Sequence, residues 1–365
     1  MLQTIIIGGG VMGLSIARQL NARGRRIHII DRSTPRMNAS YAAGGMLGAQ
    51  NEFFEDTPLY HLAMASRAMM QDTAQQLLKE THIDIELQTY GLIKVATTAQ
   101  HVPAVKKQFE FLSQQDHEIY ELSHNQLRAR FPHCDVEACA AFKIHDDGQI
   151  NANLYTQALL QSVSKLSHID LHLQTEVLQI AQHASHYQVT TSKGTFYADE
   201  LVIAAGAWSG TLLHQLGINL PTHPVKGDVK LIESSYSQLK ETIFNMNGCY
   251  IVPKKPNRFL IGATSELDNW STQNKAENLQ WLDAESQAMI PNLREHRVIK
   301  TWTGIRPITP DGVPIMGALH NNLYVSTGHY RNGILLSPIV GQLMAQLVDG
   351  KSNAAQQLRP FSPIK

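Results

Sequence analysis

Near the N-terminus, Gly8-Gly9-Gly10-Val11-Met12-Gly13 matches the spacing Gly-x-Gly-x-x-Gly, a pattern suited to cradling a dinucleotide pyrophosphate. Gly8 permits the tight turn, Gly10 lets the backbone approach the phosphates, and Gly13 allows a helix to pack closely on a strand. The helix N-terminus then faces the phosphate charge. Asp31 ends the next apolar run, at about the 20-residue spacing where an acid accepts hydrogen bonds from ribose hydroxyls. A carboxylate there disfavours a 2′-phosphate, so FAD or NAD fits better than NADP.

Two further regions favour the longer of these ligands. Small residues Ala39, Ser40, Ala42, Ala43, Gly44 and Gly45 follow the first unit, where a dinucleotide running past its pyrophosphate needs close backbone approach. A second glycine-ended strand, Ala204-Ala205-Gly206-Ala207-Trp208, is more than a nicotinamide cofactor needs. Gly328-His329-Tyr330-Arg331-Asn332-Gly333-Ile334 joins an apolar run to the last helix. Were an isoalloxazine to lie over this turn, the helix dipole would face the ring where negative charge gathers on reduction. Upstream, Arg306 stands at the end of an apolar strand beside a turn, as a bidentate clamp for a carboxylate would.

These groups need elements to hold them. Residues 2–7 form a short continuous apolar run, 11–22 has helical periodicity and 27–30 is a second buried run, together a βαβ unit. Further helices are expected at 59–78, 103–115, 151–166, 275–289 and 331–348, and strands at 171–174, 187–191, 195–197, 201–206 and 323–326. Short alternating runs between 83 and 147 suggest an antiparallel element, and so do strands at 228–232, 250–253 and 258–261. The expected fold class is α/β, a Rossmann-like FAD-binding domain with an interleaved α+β substrate domain on an antiparallel or mixed sheet. The expected division is 1–82, 148–222 and 304–365 for the first domain, and 83–147 and 223–303 for the second.

Composition supports a globular chain of about two domains: 365 residues, 43% hydrophobic and 17% charged. Lys+Arg is 31 and Asp+Glu is 31, so the net charge of 0 lacks the basic excess of a nucleic-acid or anionic-lipid binder. Three cysteines, Cys134, Cys139 and Cys249, are too few for a disulfide framework and suit a reducing cytoplasm. The longest apolar stretches contain glycines and fall short of the ~18 residues a membrane span needs. His133, Cys134, Cys139 and His145 lack a second ligand pair, so no metal site is expected. The serine in Gly206-Ala-Trp-Ser209-Gly210 is misplaced for a nucleophile elbow.

Taken in order, Gly8–Gly13, Ala43-Gly-Gly-Met46-Leu47-Gly48, Pro224-Val-Lys-Gly-Asp228, Gly262-Ala-Thr264, Gly304-Ile-Arg306-Pro307 and 328–336 resemble the D-amino-acid oxidase superfamily, with the pattern most similar to bacterial glycine oxidases of thiamine biosynthesis. The resemblance implies non-covalent FAD and oxidation of glycine, small amines or D-amino acids by O2, giving an imine and hydrogen peroxide. By position, Val11, Met12, Asp31, Arg32, Ala39, Ser40, Gly44, Gly45 and Met46 would line the FAD, and Val177 would meet the adenine through its backbone. His329, Tyr330, Arg331, Asn332, Gly333, Ile334 and Leu335 would hold the flavin ring. Arg306 would pair with the carboxylate of a small zwitterionic amine, with Tyr250 donating to the same group and Arg331 at the site from the flavin side. No general base is assigned, because positioning for hydride transfer carries most of the catalysis. The resemblance also implies a homo-oligomer and a possible thiazole synthase partner. Two departures, Ser265 where Met is expected and Tyr41 among small residues, bear on substrate preference.

Two other functions share many of these motifs. A D-amino-acid dehydrogenase passing electrons to quinone would call for a membrane-docking surface, against which the neutral charge argues. The flavin domain of a tRNA-modifying enzyme would call for a basic excess that the sequence lacks.

Overall fold

Alternation along the first strand decides the architecture. In Leu2–Ile7, Ile5 and Ile7 pack with Ile30, Leu201 and Ile203 on one face, while Ile6 joins Leu14, Ile16, Ile29 and Val340 on the other. A strand buried on both faces must be covered by layers on both. The computed structural model describes residues 1–20, 24–33, 39–130, 137–235, 239–255 and 257–364 and shows both layers. Helices Val11–Gln19, Pro58–Thr81, Ala152–Ser164 and Gly333–Val348 cover one face. A three-stranded antiparallel sheet, Val177–Gln182, Tyr187–Thr191 and Gly194–Ala198, covers the other.

The central sheet runs in the order Ile315–Ala318, Leu323–Thr327, Glu200–Ile203, Leu2–Ile7, Arg25–Ile30 and Ile169–His172. All its pairings are parallel except the edge made by Ile315–Ala318. This is a Rossmann-like sheet, and its carboxyl ends are where such folds bind ligands. Among the described residues no helix is long and apolar enough to cross a membrane.

A second, mixed sheet is built around the long strand His223–Glu233. On one side it pairs with Arg258–Gly262 and Glu266–Leu267, and on the other with Arg297–Ile308 along its length. From Arg258–Gly262 the sheet continues through Tyr250–Lys254, Thr242–Asn245, Leu92–Ala96, Ala140–Ile144 and Ile119–Glu121. One apolar cluster holds Ile29 of the parallel sheet together with Phe244, Tyr250 and Val252 of the mixed one, so the two sheets share a core.

Three expectations shift. Thr242–Asn245 pairs parallel with Leu92–Ala96, so the element between 83 and 147 is antiparallel on one side only. The strand expected at 171–174 is Ile169–His172, because Asp31 N–H takes the carbonyl of His172 and Gln174 turns to φ 53, left-handed backbone that ends an extended run. Arg297–Ile308 is longer than its apolar part shows, since its first half mixes Arg297, Lys300 and Thr301 with apolar residues and is partly exposed. The first helix is described to Gln19, and its expected end at 22 lies outside the described residues.

Candidate active site

At the carboxyl ends of the parallel strands lies a cavity of about 920 Å³, near the top of the ~300–1,000 Å³ range of small-molecule sites. Its wall passes from Thr175 and Val177, past Gly10 and Val11, to Arg306 and Tyr250. Both sheets therefore contribute.

The end beside the first strand is shaped to take a dinucleotide. Gly8 has φ +119, and a Cβ there would lie 2.2 Å from the carbonyl oxygen of Ala204, so only glycine closes this turn. Helix Val11–Gln19 follows with no cap from Gly10 and no acid in its first turn, which leaves its positive dipole favourable to an anion. The Val11 N–H meets the hydroxyl of Ser40 at 3.1 Å, which ties the small-residue segment to the helix start. Asp31 accepts from Gly9 N–H at 2.5 Å and from Ser33 N–H at 2.8 Å, so its carboxylate is held at the cavity wall. Arg32 stacks over the ring of Trp208 at 3.9 Å, and the carbonyl of Asp31 accepts from Thr175 N–H at 2.8 Å, bringing the Val177 strand alongside.

The opposite end is defined by Arg306. Register places Arg306 across from Val225, and its guanidinium reaches over Gly227, where a Cβ would sit 2.5 Å from Nη2. Nη2 donates to the carbonyl of Thr264 at 2.6 Å, but Nε is buried without a partner. Burial pushes the guanidinium pKa down, yet arginine stays charged in proteins, so a buried cation here lacks a carboxylate among the described residues. Tyr250 lines the same end, and burial pushes its phenol pKa up, which keeps the hydroxyl protonated as a donor. The ring of Tyr330 lies 5.2 Å from the Arg306 guanidinium, and its hydroxyl is 3.1 Å from that of Ser265.

Arg331 behaves differently. It lines the cavity, but its Nε pairs with Glu52 at 3.4 Å and its guanidinium lies 5.2 Å from the Phe244 ring. Glu52 is presented by a segment whose backbone is anchored on buried Asp147, which accepts from Asn51 N–H at 3.0 Å and from Arg67 at 2.8 Å. Of Arg306 and Arg331, Arg306 is thus the one open to an incoming carboxylate.

His329 is buried, with Nε2 3.0 Å from the Ser326 hydroxyl and Nδ1 without a partner. Burial pushes its pKa down to about 3, so the ring is neutral. An unfolded histidine titrates near pH 6.5. The folded value lies below the unfolded one, so the stability tied to the neutral ring is complete above about pH 6.5 and is lost as pH falls toward 3, by about 1.4 kcal/mol per pH unit. His329→Gln should flatten the stability profile between pH 6 and 4, measured as urea midpoints. An unchanged slope would show that His329 does not set it.

Most residues expected at the site line this one cavity: Gly8, Gly10, Val11, Met12, Asp31, Arg32, Ala39, Ser40, Gly44, Gly45, Met46, Val177, Tyr250, Arg306, His329, Tyr330, Arg331, Gly333 and Ile334. Three lie behind the wall. Gly13 packs on the backbone of Gly8, Asn332 begins the last helix, and Leu335 is buried with its carbonyl bonded to Ser66. Gln174, Thr175, Thr211, Gln215, Trp270 and Thr272 also line it; they sit in loops or on the short helix Ser209–His214 and its C-cap, where spacing carries no site signal. Cys139 and Cys249 are free thiols, while His133 and Cys134 lie outside the described residues.

A family model described as FAD dependent oxidoreductase (DAO) matches residues 3–347. The glycine oxidase of Geobacillus kaustophilus is 39% identical over 360 residues, covering 98% of this chain and 95% of that protein. The crystal structure of glycine oxidase from Geobacillus kaustophilus superposes with a TM-score of 0.94 at 38% identity, covering 99% of this chain and 98% of the other. The bifunctional protein ThiO/ThiG of Trichormus variabilis is 31% identical over 357 residues, 96% of this chain and 53% of that longer protein. The cavity, the acid-free helix start and the unpartnered buried donors fit the cofactor that this family uses. The chain belongs to the FAD-dependent oxidoreductases, of the glycine-oxidase type.

Proposed function

We propose that this protein oxidises glycine and other small amines or D-amino acids to the imine, which hydrolyses to the 2-oxo acid, and reduces O2 to hydrogen peroxide. The observation that carries this reading is Arg306: a half-buried arginine whose Nε is buried and unpartnered, on the wall of a cavity that also holds the dinucleotide fingerprint. A small zwitterion supplies the missing carboxylate. Its ammonium first gives up a proton, and the neutral amine then loses one hydride from Cα and one proton from nitrogen to give the imine.

In this reading the Gly10 backbone and the start of helix Val11–Gln19 face the pyrophosphate, Asp31 holds the ribose, and the backbone at Val177 meets the adenine. The turn from His329 to Ile334, with the start of helix Gly333–Val348, faces the flavin. Bound FAD would supply the two-electron acceptor, taking the hydride and passing both electrons to dioxygen. Arg306 and the protonated Tyr250 hydroxyl pin the carboxylate, which orients the Cα–H without any acid–base group acting on it. Tyr250 also packs against Phe244, with ring centroids 5.9 Å apart, so its hydroxyl is held in place.

The reading divides the chain into a cofactor domain (1–82, 148–222 and 304–365) and a substrate domain (83–147 and 223–303). It takes FAD as non-covalent, since no cysteine lies among the cavity-lining residues described. The fused ThiO/ThiG relative supports transfer of the imine to a thiazole-forming partner, and the two free thiols suit the cytoplasm.

An oxygen electrode with glycine, sarcosine, D-alanine, D-proline and larger D-amino acids tests this, with the visible spectrum of the protein. Rapid oxygen uptake with small amines is expected, with peroxide in equal amount. Turnover only with artificial dyes would favour the dehydrogenase instead.

A further inference from the structure

One exposed aromatic side chain is not accounted for by substrate or pyrophosphate. Trp270 is 45% exposed, lines the cavity, and has its ring 5.1 Å from that of Trp208. An exposed tryptophan on a polar loop gains little from folding alone. We propose that Trp270 is a clasp on the cofactor, closing the adenosine end of the dinucleotide cavity by stacking on Trp208 and so slowing the release of FAD. The inference rests on the reading of this cavity as an FAD site.

Three observations carry it. The first is location. Trp208 bears the Arg32 guanidinium at 3.9 Å, and Arg32 follows Asp31, the acid placed for the ribose. Trp208, Arg32 and Gln215 line the same cavity as Thr175 and Val177, and Thr175 N–H donates at 2.8 Å to the carbonyl of Asp31, the residue before Arg32. Gln215 is tied to the Val177 strand by Ile180 N–H at 2.8 Å.

The second is that the two rings come from different sheets. Trp208 follows Glu200–Ile203 of the parallel sheet, and Trp270 stands just after Glu266–Leu267 at the edge of the mixed sheet. Their contact joins elements of both sheets on the wall of one cavity, and in this proposal a ligand beneath it leaves when the contact opens.

The third is that the loop carrying Trp270 is built rather than slack. Glu266 accepts from Asn269, from Lys275 at 2.6 Å and from Asn278 at 2.7 Å, so one carboxylate gathers both ends of the loop. Asn274 anchors it a second time, donating to Asp228 at 2.8 Å and to the carbonyl of Trp302 at 3.1 Å. Charge-assisted bonds of this kind hold a side chain in register. Trp270 is therefore presented to Trp208 in a fixed position.

Rapid dilution of the holoenzyme, followed by the rise of free-flavin fluorescence and the change in tryptophan emission, reads FAD release directly. Trp270→Ala should speed release by roughly three- to tenfold, the range for loss of one aromatic pair. Trp270→Phe, which keeps a ring, should stay near the parent rate. Glu266→Gln leaves Trp270 in place but loosens its loop, and should also speed release, which covers the case in which the alanine variant fails to fold. Parent-like release from folded Trp270→Ala and Glu266→Gln overturns the clasp while leaving the FAD site intact. A parent protein that carries and takes up no FAD overturns both.

Discussion

Arg306→Ala should lower kcat/KM for glycine by roughly 30- to 900-fold, corresponding to about 2–4 kcal/mol for one partner of a buried, hydrogen-bonded charge pair. The loss should fall mainly on KM, because the guanidinium binds the carboxylate before and during hydride transfer alike. The visible flavin spectrum should survive, since the fingerprint at Gly8–Gly10 and Asp31 is untouched. Removing Arg306 also removes a buried cation with an unpartnered Nε, so the variant should be no less stable than the parent, measured by thermal melting. This pairing of intact or raised stability with weakened binding separates a clamp from a structural ion pair. Arg306→Lys should recover only part of the loss, since an ammonium offers no planar fork. Steady-state oxygen uptake decides the matter, and parental KM in Arg306→Ala would falsify the placement of the substrate.

Gly8→Ala should abolish the yellow holoenzyme. The alanine must adopt φ +119, at a strain of about 1–3 kcal/mol, and its Cβ would sit 2.2 Å from the Ala204 carbonyl oxygen. Relief means moving the turn away from Glu200–Ile203, an overpacking cost of similar size, about 1–3 kcal/mol. Either path displaces the N–H groups that open helix Val11–Gln19. FAD content per chain, read from the ratio of visible to ultraviolet absorbance, should fall to near zero, with a lower melting temperature. A fully flavinylated Gly8→Ala of parental stability would show that this turn is not the pyrophosphate site.

Much of the scaffold is legible in the chain because local geometry writes it there. The run Ile5-Ile6-Ile7 has no polar alternation since both faces are covered, and the helix beginning at Val11 is punctuated by glycines that the turn requires. Asp31, the small residues from Ala39 to Gly45, and the turn before the last helix all follow short-range patterns and arrive on one cavity. Weaker signals fail where structure depends on distant partners. The first half of Arg297–Ile308 is held as a strand by His223–Glu233 beside it, and its own signal is short, because Arg297 and Lys300 break up the β-branched Val298, Ile299 and Thr301. Trp270 reaches the cavity from a polar loop and Gln215 from the C-cap of the short helix Ser209–His214, positions whose composition carries no site signal.

By itself, the sequence determined a Rossmann-like sheet visited repeatedly, a dinucleotide fingerprint at its first turn, a second sheet rich in alternation, and Arg306 as a candidate cation. Tertiary structure alone decided which arginine is open. Arg306 and Arg331 look alike as residues beside turns, but Glu52 reaches Arg331 and nothing acidic is bridged to Arg306 among the described residues. It also decided that Trp208 and Trp270 meet. The physical reason is one of range. Periodicity and backbone turns are set by neighbours in the chain, whereas the charge balance of a buried group and the closing of a cavity depend on sheet register and on side chains that only packing brings together.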